Sequence, residues 1–532
     1  MMRRLPVLAA IAAVLFAATS AAQSQPRAEA GERLVIGWAI APSGLDPHGF
    51  LVSSDNTVNN HIYEALTRVR PDGQVEPALA QSWTLTDGRI WDLALRPGVV
   101  FHDGTPFSAA DVIATFARVR SLQTSLRGLA TRLQPIVSIE QRGPHALRLI
   151  TAAPAPTLPH DLSRVAILRA ASAAVTDGFA FNSGPAAIGT GPYRYAAFSP
   201  DAGLDLVRND GWWDGIAPWR SVALRFIPRD SVRSVALLSG DADLVERVTP
   251  IDAQILAARP GMALARAPGL ASVYIMLNQG RSDGGPFLTG PDGAALAVNP
   301  LRDLRVRQAL SLAVNRAALT ERLLAGAGVP TGQIAAPGGP DHIAGLSPPI
   351  QDLARSRALL AEAGYASGLR IVMLAPTDRY ANITQVAEAV AQMWTRVGVT
   401  TTLETLPWNN LSRRSGRGEY AAKLFACCAS IADPLSTTRE LLVTHDPARN
   451  NGGSNTGRYS NTLLDGIVEQ GLTLHPSQAR SLAVEQAARI VADDVPMLLL
   501  YHPLNIWAAR APVAYTPRLD GLTLAVGARL AR

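Results

Sequence analysis

Residues 369–406 read LRIVMLAPTDRYANITQVAEAVAQMWTRVGVTTTLETL, and this stretch decides the fold class. Leu369 to Leu374 is a strand-like apolar run, Ile383 to Arg396 a helix, and Thr400 to Leu406 a second strand. Strand, helix and strand in succession make a βαβ-like unit, which points to a parallel or mixed sheet with flanking helices. The neighbouring segments agree. Asp352 to Ala363 is helical with Gly364 as its stop, and Asp303 begins a helix holding Val306, Leu310 and Val314. Asn315 starts another through Leu319, Leu323 and Leu324 to Gly326, and a last helix, Ser477 to Val491, precedes a strand from Pro496 to Tyr501.

The first half is richer in strands. Arg33 to Trp38 is strand-like, and a helix-like stretch with Ile62, Leu66 and Val69 follows. Leu66–Val69, Gln81–Leu85 and Ile90–Leu95 alternate, with Pro71-Asp72-Gly73 and Asp87-Gly88 as hairpin turns between them. Ser108 with Asp111 forms a capping box for a helix over 109–120 carrying Val112, Ile113, Phe116 and Val119. Ile136 to Ile150 alternates like strands. Asp230 caps a helix with Val232, Val235 and Leu238 that Gly240 closes, and Val273 to Leu277 is a strand. The whole reads as an α/β chain of at least two lobes.

At 532 residues the chain has room for two to four domains of roughly 150 residues each. Its 48% hydrophobic and 17% charged content excludes a disordered chain. The formal net charge is +6, Lys423 is the one lysine, and the arginines are scattered, so no nucleic-acid partner is expected. The first residues, MMRRLPVLAAIAAVLFAATSAAQS, give a positive pair (Arg3, Arg4), an apolar run too short to span a bilayer (Leu5 to Phe16), and small residues Ser20, Ala21 and Ala22. That order predicts a cleaved signal peptide, residues 1–22, and an exported, soluble chain. The only cysteines, Cys427 and Cys428, are not placed for lipid attachment, so a free periplasmic protein is expected. Neighbouring cysteines close a very tight ring, which favours two buried thiols.

Signatures of catalysis are missing from the sequence: no G-x-S-x-G elbow, no H-E-x-x-H helix, no Walker loop, no G-x-G-x-x-G entering a helix. The expectation is a protein that is not an enzyme and takes no cofactor or metal. A secreted hydrolase, whose triad would meet only in space, is the alternative from another class.

Several separated motifs carry a family resemblance. They are Leu45-Asp46-Pro47-His48, His61-Ile62-Tyr63-Glu64-Ala65-Leu66, Glu76 to Trp83, Leu95 to Val99 with Phe101-His102-Asp103-Gly104, Ala110-Asp111-Val112, Gly189-Thr190-Gly191-Pro192-Tyr193, Arg305 to Leu310, and Asn315-Arg316. In this order they resemble the extracytoplasmic solute-binding proteins of peptide/nickel ABC importers, solute-binding protein family 5. The resemblance implies a two-lobed periplasmic-binding-protein fold of type II with an extra inserted domain, mixed sheets and flanking helices. The first lobe would hold 23–60, 186–276 and 499–532, the inserted domain 61–185, and the second lobe 277–498. Hinge strands would lie near Val273–Asn278 and Met497–Leu504. The function implied is capture of a small organic solute between the lobes and its delivery to an inner-membrane ABC permease, by a monomer; a chemoreceptor is a further possible partner. The LDPH, FHDG and GTGPY motifs would hold turns and caps.

Cleft walls in the family include a tryptophan-bearing strand and a loop ending in an acid–proline pair, which resemble Trp408 and Phe425 to Pro434. Peptide binders place an aspartate three residues before that pair to hold the ammonium group, and here Ser430 stands there, with Cys427 in place of a tryptophan. A serine cannot neutralise a buried ammonium, so the expected solute is not a free-amine peptide; an oligopeptide or glutathione-type peptide is the alternative. Ligand-binding candidates are Trp408, for stacking on a flat solute, Arg413 with Arg414 for a carboxylate, Ser430, Asp433, Cys428, Tyr274 and Asn278 on the floor, and Phe50, Leu51 and Ser53 on the opposite wall.

Overall fold

The computed structural model describes residues 32–49, 53–122, 127–377, 382–427, 433–449, 451–475 and 477–531. The proposed signal segment, 1–22, lies outside them.

One strand organises the architecture: Met497–Arg510, fourteen residues long. Its first part pairs antiparallel with Ser272–Leu277, and Leu504 to Arg510 pairs antiparallel with Met262–Pro268. The sequence reading ended this strand at Tyr501. It continues because the residues beyond Pro503 find a second partner strand.

On one side of it the sheet runs through Ser272–Leu277 and Ala422–Cys427 to Leu369–Pro376, which pairs in parallel with Val399–Leu406. The crossover helix Ile383–Thr395 completes the expected βαβ unit. On the other side the sheet continues through Leu244–Val245, Arg33–Trp38, Ser221–Phe226, Gly203–Arg208 and Tyr193–Ser199. A separate four-stranded antiparallel sheet holds Ala80–Thr86, Ile90–Leu95, Ala146–Thr151 and Ile136–Gly143 in that order. Each body has its own core: Ile275, Leu310, Val390, Trp394 and Leu498 in one, Leu34, Ile36, Leu224 and Trp507 in the next, Leu93, Phe101, Phe116 and Leu149 in the third. Apolar surface is thus buried in separate clusters instead of one continuous core.

Local signals held where the chemistry was local. The Ser108–Asp111 capping box starts the helix Ala109–Ser121, and Gly240 ends the helix Asp230–Ser239 in the left-handed conformation. That second helix, however, turns its valines outward. Val232, Val235 and Leu238 are 46%, 60% and 41% exposed, while Ala236, Leu237 and Arg233 are buried. The buried arginine decides the face, because its guanidinium is satisfied by the carbonyls of Ile227, Pro228, Glu246 and Arg247. The helix-like spacing of Ile62, Leu66 and Val69 is likewise a coincidence. The helix is Ser53–Ile62, and Thr67–Val69 is a strand paired with Val75–Pro77.

The three motifs expected to be structural tie the bodies together. His102 Nε2 bonds to the Gly191 carbonyl at 3.0 Å, and the Gly189 amide donates to His102 Nδ1 at 3.3 Å. The glycines are needed for close approach. A Cβ at Gly189 would lie 2.0 Å from the Ile62 carbonyl oxygen, and one at Gly191 would lie 2.8 Å from it. Gly189→Ala is therefore expected to lower stability by about 1–3 kcal/mol through overpacking. A urea melt showing no loss would remove the close-approach argument.

Candidate functional site

The chain crosses between its two large halves where one strand ends at Pro268 and the next begins at Ser272. Cys427 lies opposite Ser272 in register, and Phe425 lies opposite Tyr274 one step further in. Trp408 stacks on Phe425 with ring centroids 4.4 Å apart and planes 13° from parallel. Tyr274 meets Phe425 edge-on at 6.4 Å. Trp408 and Phe425 are half-buried and Tyr274 is buried, so the three rings form an aromatic wall beside the crossing point. Trp408 is the first residue of the helix Trp408–Gly416, not part of a strand as the sequence suggested.

Below the rings on the same face lies Lys423. Its ammonium donates to Ser415 Oγ and Thr456 Oγ1, both at 2.9 Å, and sits 5.9 Å from the Phe425 ring and 5.7 Å from the Tyr420 ring. Burial pulls its pKa down to about 8.

The expectation of two thiols is corrected. Cys427 is disulfide-bonded, and the sequence holds one other cysteine, Cys428. Tight-ring geometry disfavours such a bond without forbidding it, and the oxidising compartment expected for an exported chain favours it. Cys428, Ser430, Phe50 and Leu51 lie outside the described residues, and Ser53 opens the helix Ser53–Ile62.

The remaining candidates fall elsewhere. Asn278 is at the far end of its strand, about 20 Å from the crossing at the ordinary rise per residue. Its amide is fully engaged, donating to the carbonyls of Gly418 and Tyr420 and accepting from the Gly280 amide. Arg413 is exposed and bonds to Asn410, and Arg414 pairs with Glu404. Asp433 caps the helix Pro434–Leu441 through Ser436 and pairs with Arg480 at 2.6 Å.

Sequence reasoning missed the contacts that join the four-stranded body to the half carrying Trp408. Trp91 meets His475 edge-on at 6.2 Å. Asp161, paired with Arg132 at 2.9 Å, is pushed up in pKa by burial and further by the charge of Asp433. Trp91 and His475, and Asp161 and Asp433, are more than 250 positions apart, and no local pattern marks them. Among the described residues no group of three metal-ligating side chains converges, and no helix is long and apolar enough to cross a membrane.

Comparison with known proteins places this geometry. The model of the family described as bacterial extracellular solute-binding proteins, family 5, matches residues 74–446. "Heme-binding protein A" of Haemophilus influenzae is 26% identical, the match covering 97% of this chain and 94% of that protein. A "dipeptide-binding protein" of Pseudomonas aeruginosa is 25% identical over 90% of this chain and 91% of its own length. Among solved structures, HbpA2 of Haemophilus parasuis superposes with a TM-score of 0.82 at 22% identity, covering 94% of this chain and all of that one. The periplasmic murein tripeptide-binding protein MppA, in its unliganded open form, gives 0.79 at 22% identity, covering 94% and 98%. The fold is the two-lobed type II periplasmic-binding fold.

Proposed function

The chain belongs to family 5 of the bacterial extracellular solute-binding proteins, and from that membership we propose that it traps a small organic solute between its lobes and delivers it, chemically unchanged, to an inner-membrane ABC permease. One observation carries the reading: the strand Met497–Arg510 is shared by two separately cored halves, and the Trp408–Phe425–Tyr274 wall stands where they meet. A continuous strand bends at a few residues while the cores on either side stay intact, which is the geometry of hinge closure.

The lobes proposed are 23–60 with 186–276 and 499–532, and 277–498, with 61–185 inserted. The separate cores support this division, although Leu168 and Phe181 pack with the first lobe. Residues 1–22 are proposed as a cleaved signal peptide, and the mature chain as a periplasmic monomer without a lipid anchor. Family relatives that bind solutes in the periplasm support this. The solute proposed is one with a flat or apolar face to lie against the half-buried aromatic wall, and not a plain free-amine peptide, because Ser430 replaces the carboxylate expected in that loop. A second reading, an oligopeptide or glutathione-type ligand, is favoured by relatives named for dipeptides and glutathione.

The test is to purify the protein from its host, denature it, and identify what is released by mass spectrometry. A single small organic molecule supports the reading, and an empty protein or turnover of the bound molecule overturns it. With the released molecule as ligand, Trp408→Ala is expected to weaken binding about tenfold, the scale of one aromatic stacking partner. Unchanged affinity in calorimetry would remove the wall from the site.

A further inference from the structure

The aromatic wall does not end at Phe425. Lys423, Phe425 and Cys427 alternate onto one face of the strand Ala422–Cys427, and across the ladder they stand opposite Met276, Tyr274 and Ser272. Cys427 is half-buried and, like Phe425, packs against the apolar cluster that includes Tyr274 and Leu499. It is the last side chain of the wall, next to the point where the chain crosses between its halves. It is also disulfide-bonded, and the other cysteine of the chain is its neighbour, Cys428.

A bond between neighbours does little for the fold. Disulfides stabilise mainly by closing loops of the unfolded chain, and the gain grows with the length of the loop. No residue lies between Cys427 and Cys428, so almost no chain entropy is removed. The ring is also forced. Consecutive Cα atoms are about 3.8 Å apart across an ordinary peptide bond, whereas disulfides usually join Cα atoms about 4.4–6.8 Å apart. A bond made across so short a span is more easily reduced, and half-exposure gives an attacking thiolate access. A structural cross-link has the opposite properties: a long loop, a relaxed span and burial.

We infer that Cys427 and Cys428 form a reversible thiol–disulfide exchange site set into the end of the wall, with a thiol reductant as co-reactant. One thiolate attacks a sulfur of the pair, forming a mixed disulfide and freeing the other cysteine. A second thiol then displaces the cysteine still held, and the two reductant thiols leave joined as a disulfide. The pair gains two electrons and two protons, which the reductant loses. The wall ends either in a closed apolar sulfur ring or in two thiols. This goes beyond the solute-binding reading and holds whatever the solute is.

The test takes the mature chain purified without reductant. Thiol titration in denaturant is expected to find no free thiol, and trypsin to release one peptide, residues 424–439, carrying both cysteines and lighter by two hydrogens than its thiol form. Free thiols, or a disulfide joining two chains, would overturn the inference. The folded protein is then equilibrated with excess reduced glutathione, trapped with iodoacetamide and weighed. At least half of it is expected to carry two alkylated cysteines, a fraction that falls again in oxidised glutathione, because labile disulfides exchange with this couple and structural ones resist it. The urea midpoint of the reduced protein is expected to match that of the oxidised one, since no loop is opened. A bond that glutathione leaves intact until the chain unfolds, or a midpoint that drops on reduction, marks a structural cross-link and sinks the proposal. Every measurement is read on the unaltered chain, so no variant has to fold.

Discussion

Exchanging Arg118 for methionine is expected to cost about 3–5 kcal/mol at pH 7, because it strands a partly buried carboxylate whose only ion-pair partner among the described residues is removed. The Arg118 side chain is 3% exposed. It donates to Asp46 twice, Nη1 to Oδ1 at 3.0 Å and Nη2 to Oδ2 at 2.7 Å, and again from Nη1 to His48 Nδ1 at 2.8 Å. His48 Nε2 carries the ring proton and donates to the Ala166 carbonyl at 2.8 Å, which leaves Nδ1 free to accept. One side chain of the helix Ala109–Ser121 thus holds the Asp46–His48 turn to the helix. The loss should depend on pH. Burial, and secondly the Arg118 charge, lower the His48 pKa from 6.5 to about 4, so the ring is neutral in the fold. Its contribution is complete above pH 6.5 and is lost as pH falls from 6.5 toward 4. Without Arg118 the imidazole can take a proton and face Asp46 as a cation, so the deficit of the variant should be largest at pH 7 and smaller at pH 5. Urea melts at the two pH values decide it. A deficit that is equal at both, or below about 1 kcal/mol at pH 7, would show that the network does not carry the charge balance described here.

What the sequence made legible follows from how far its physics reaches. The βαβ unit at 369–406, the Ser108 cap and the Gly240 stop depend on neighbours within a few residues, and all three are where the pattern put them. The face of the helix Asp230–Ser239 depends on four carbonyls that receive Arg233, two of them beyond the helix at Glu246 and Arg247, and hydrophobic spacing alone named the wrong face. The site divides the same way. Trp408 stood out by type, but its partner Phe425 and the depth of Tyr274 come from strand register across 150 positions. Asn278 was placed on the floor near the hinge, but its distance along the strand Ser272–Leu277 takes it to the opposite end from the crossing.

Lys423→Met is expected to stabilise the protein at pH 7, an unusual direction for removing a charge that sits beneath a candidate binding wall. Lys423 is 6% exposed, and its ammonium has hydroxyl partners but no carboxylate within ion-pairing distance among the described residues. Its pKa falls from 10.5 to about 8 by burial alone. The unfolded chain therefore holds this proton up to about pH 10.5 and the folded chain only to about pH 8. Folding is penalised in full below pH 8, by about 3 kcal/mol, and the penalty fades as pH rises from 8 to 10.5. Methionine fills the same channel without that penalty. Two hydrogen bonds are lost, each contributing about 1 kcal/mol, yet the hydroxyls stay satisfied, since Ser415 Oγ donates to Thr456 Oγ1 at 3.2 Å and Tyr420 Oη bonds to it at 2.7 Å. The net gain at pH 7 should be about 1–2 kcal/mol, turning to a loss near pH 10. A variant less stable by the same amount at both pH values would show that the ammonium is a net stabiliser and that its hydroxyl cage outweighs desolvation. The same variant separates two accounts of the ring wall. If Trp408 and Phe425 are held by packing, solute affinity survives the exchange; if the charge under Phe425 orders the stack through the ring face, affinity falls while stability rises.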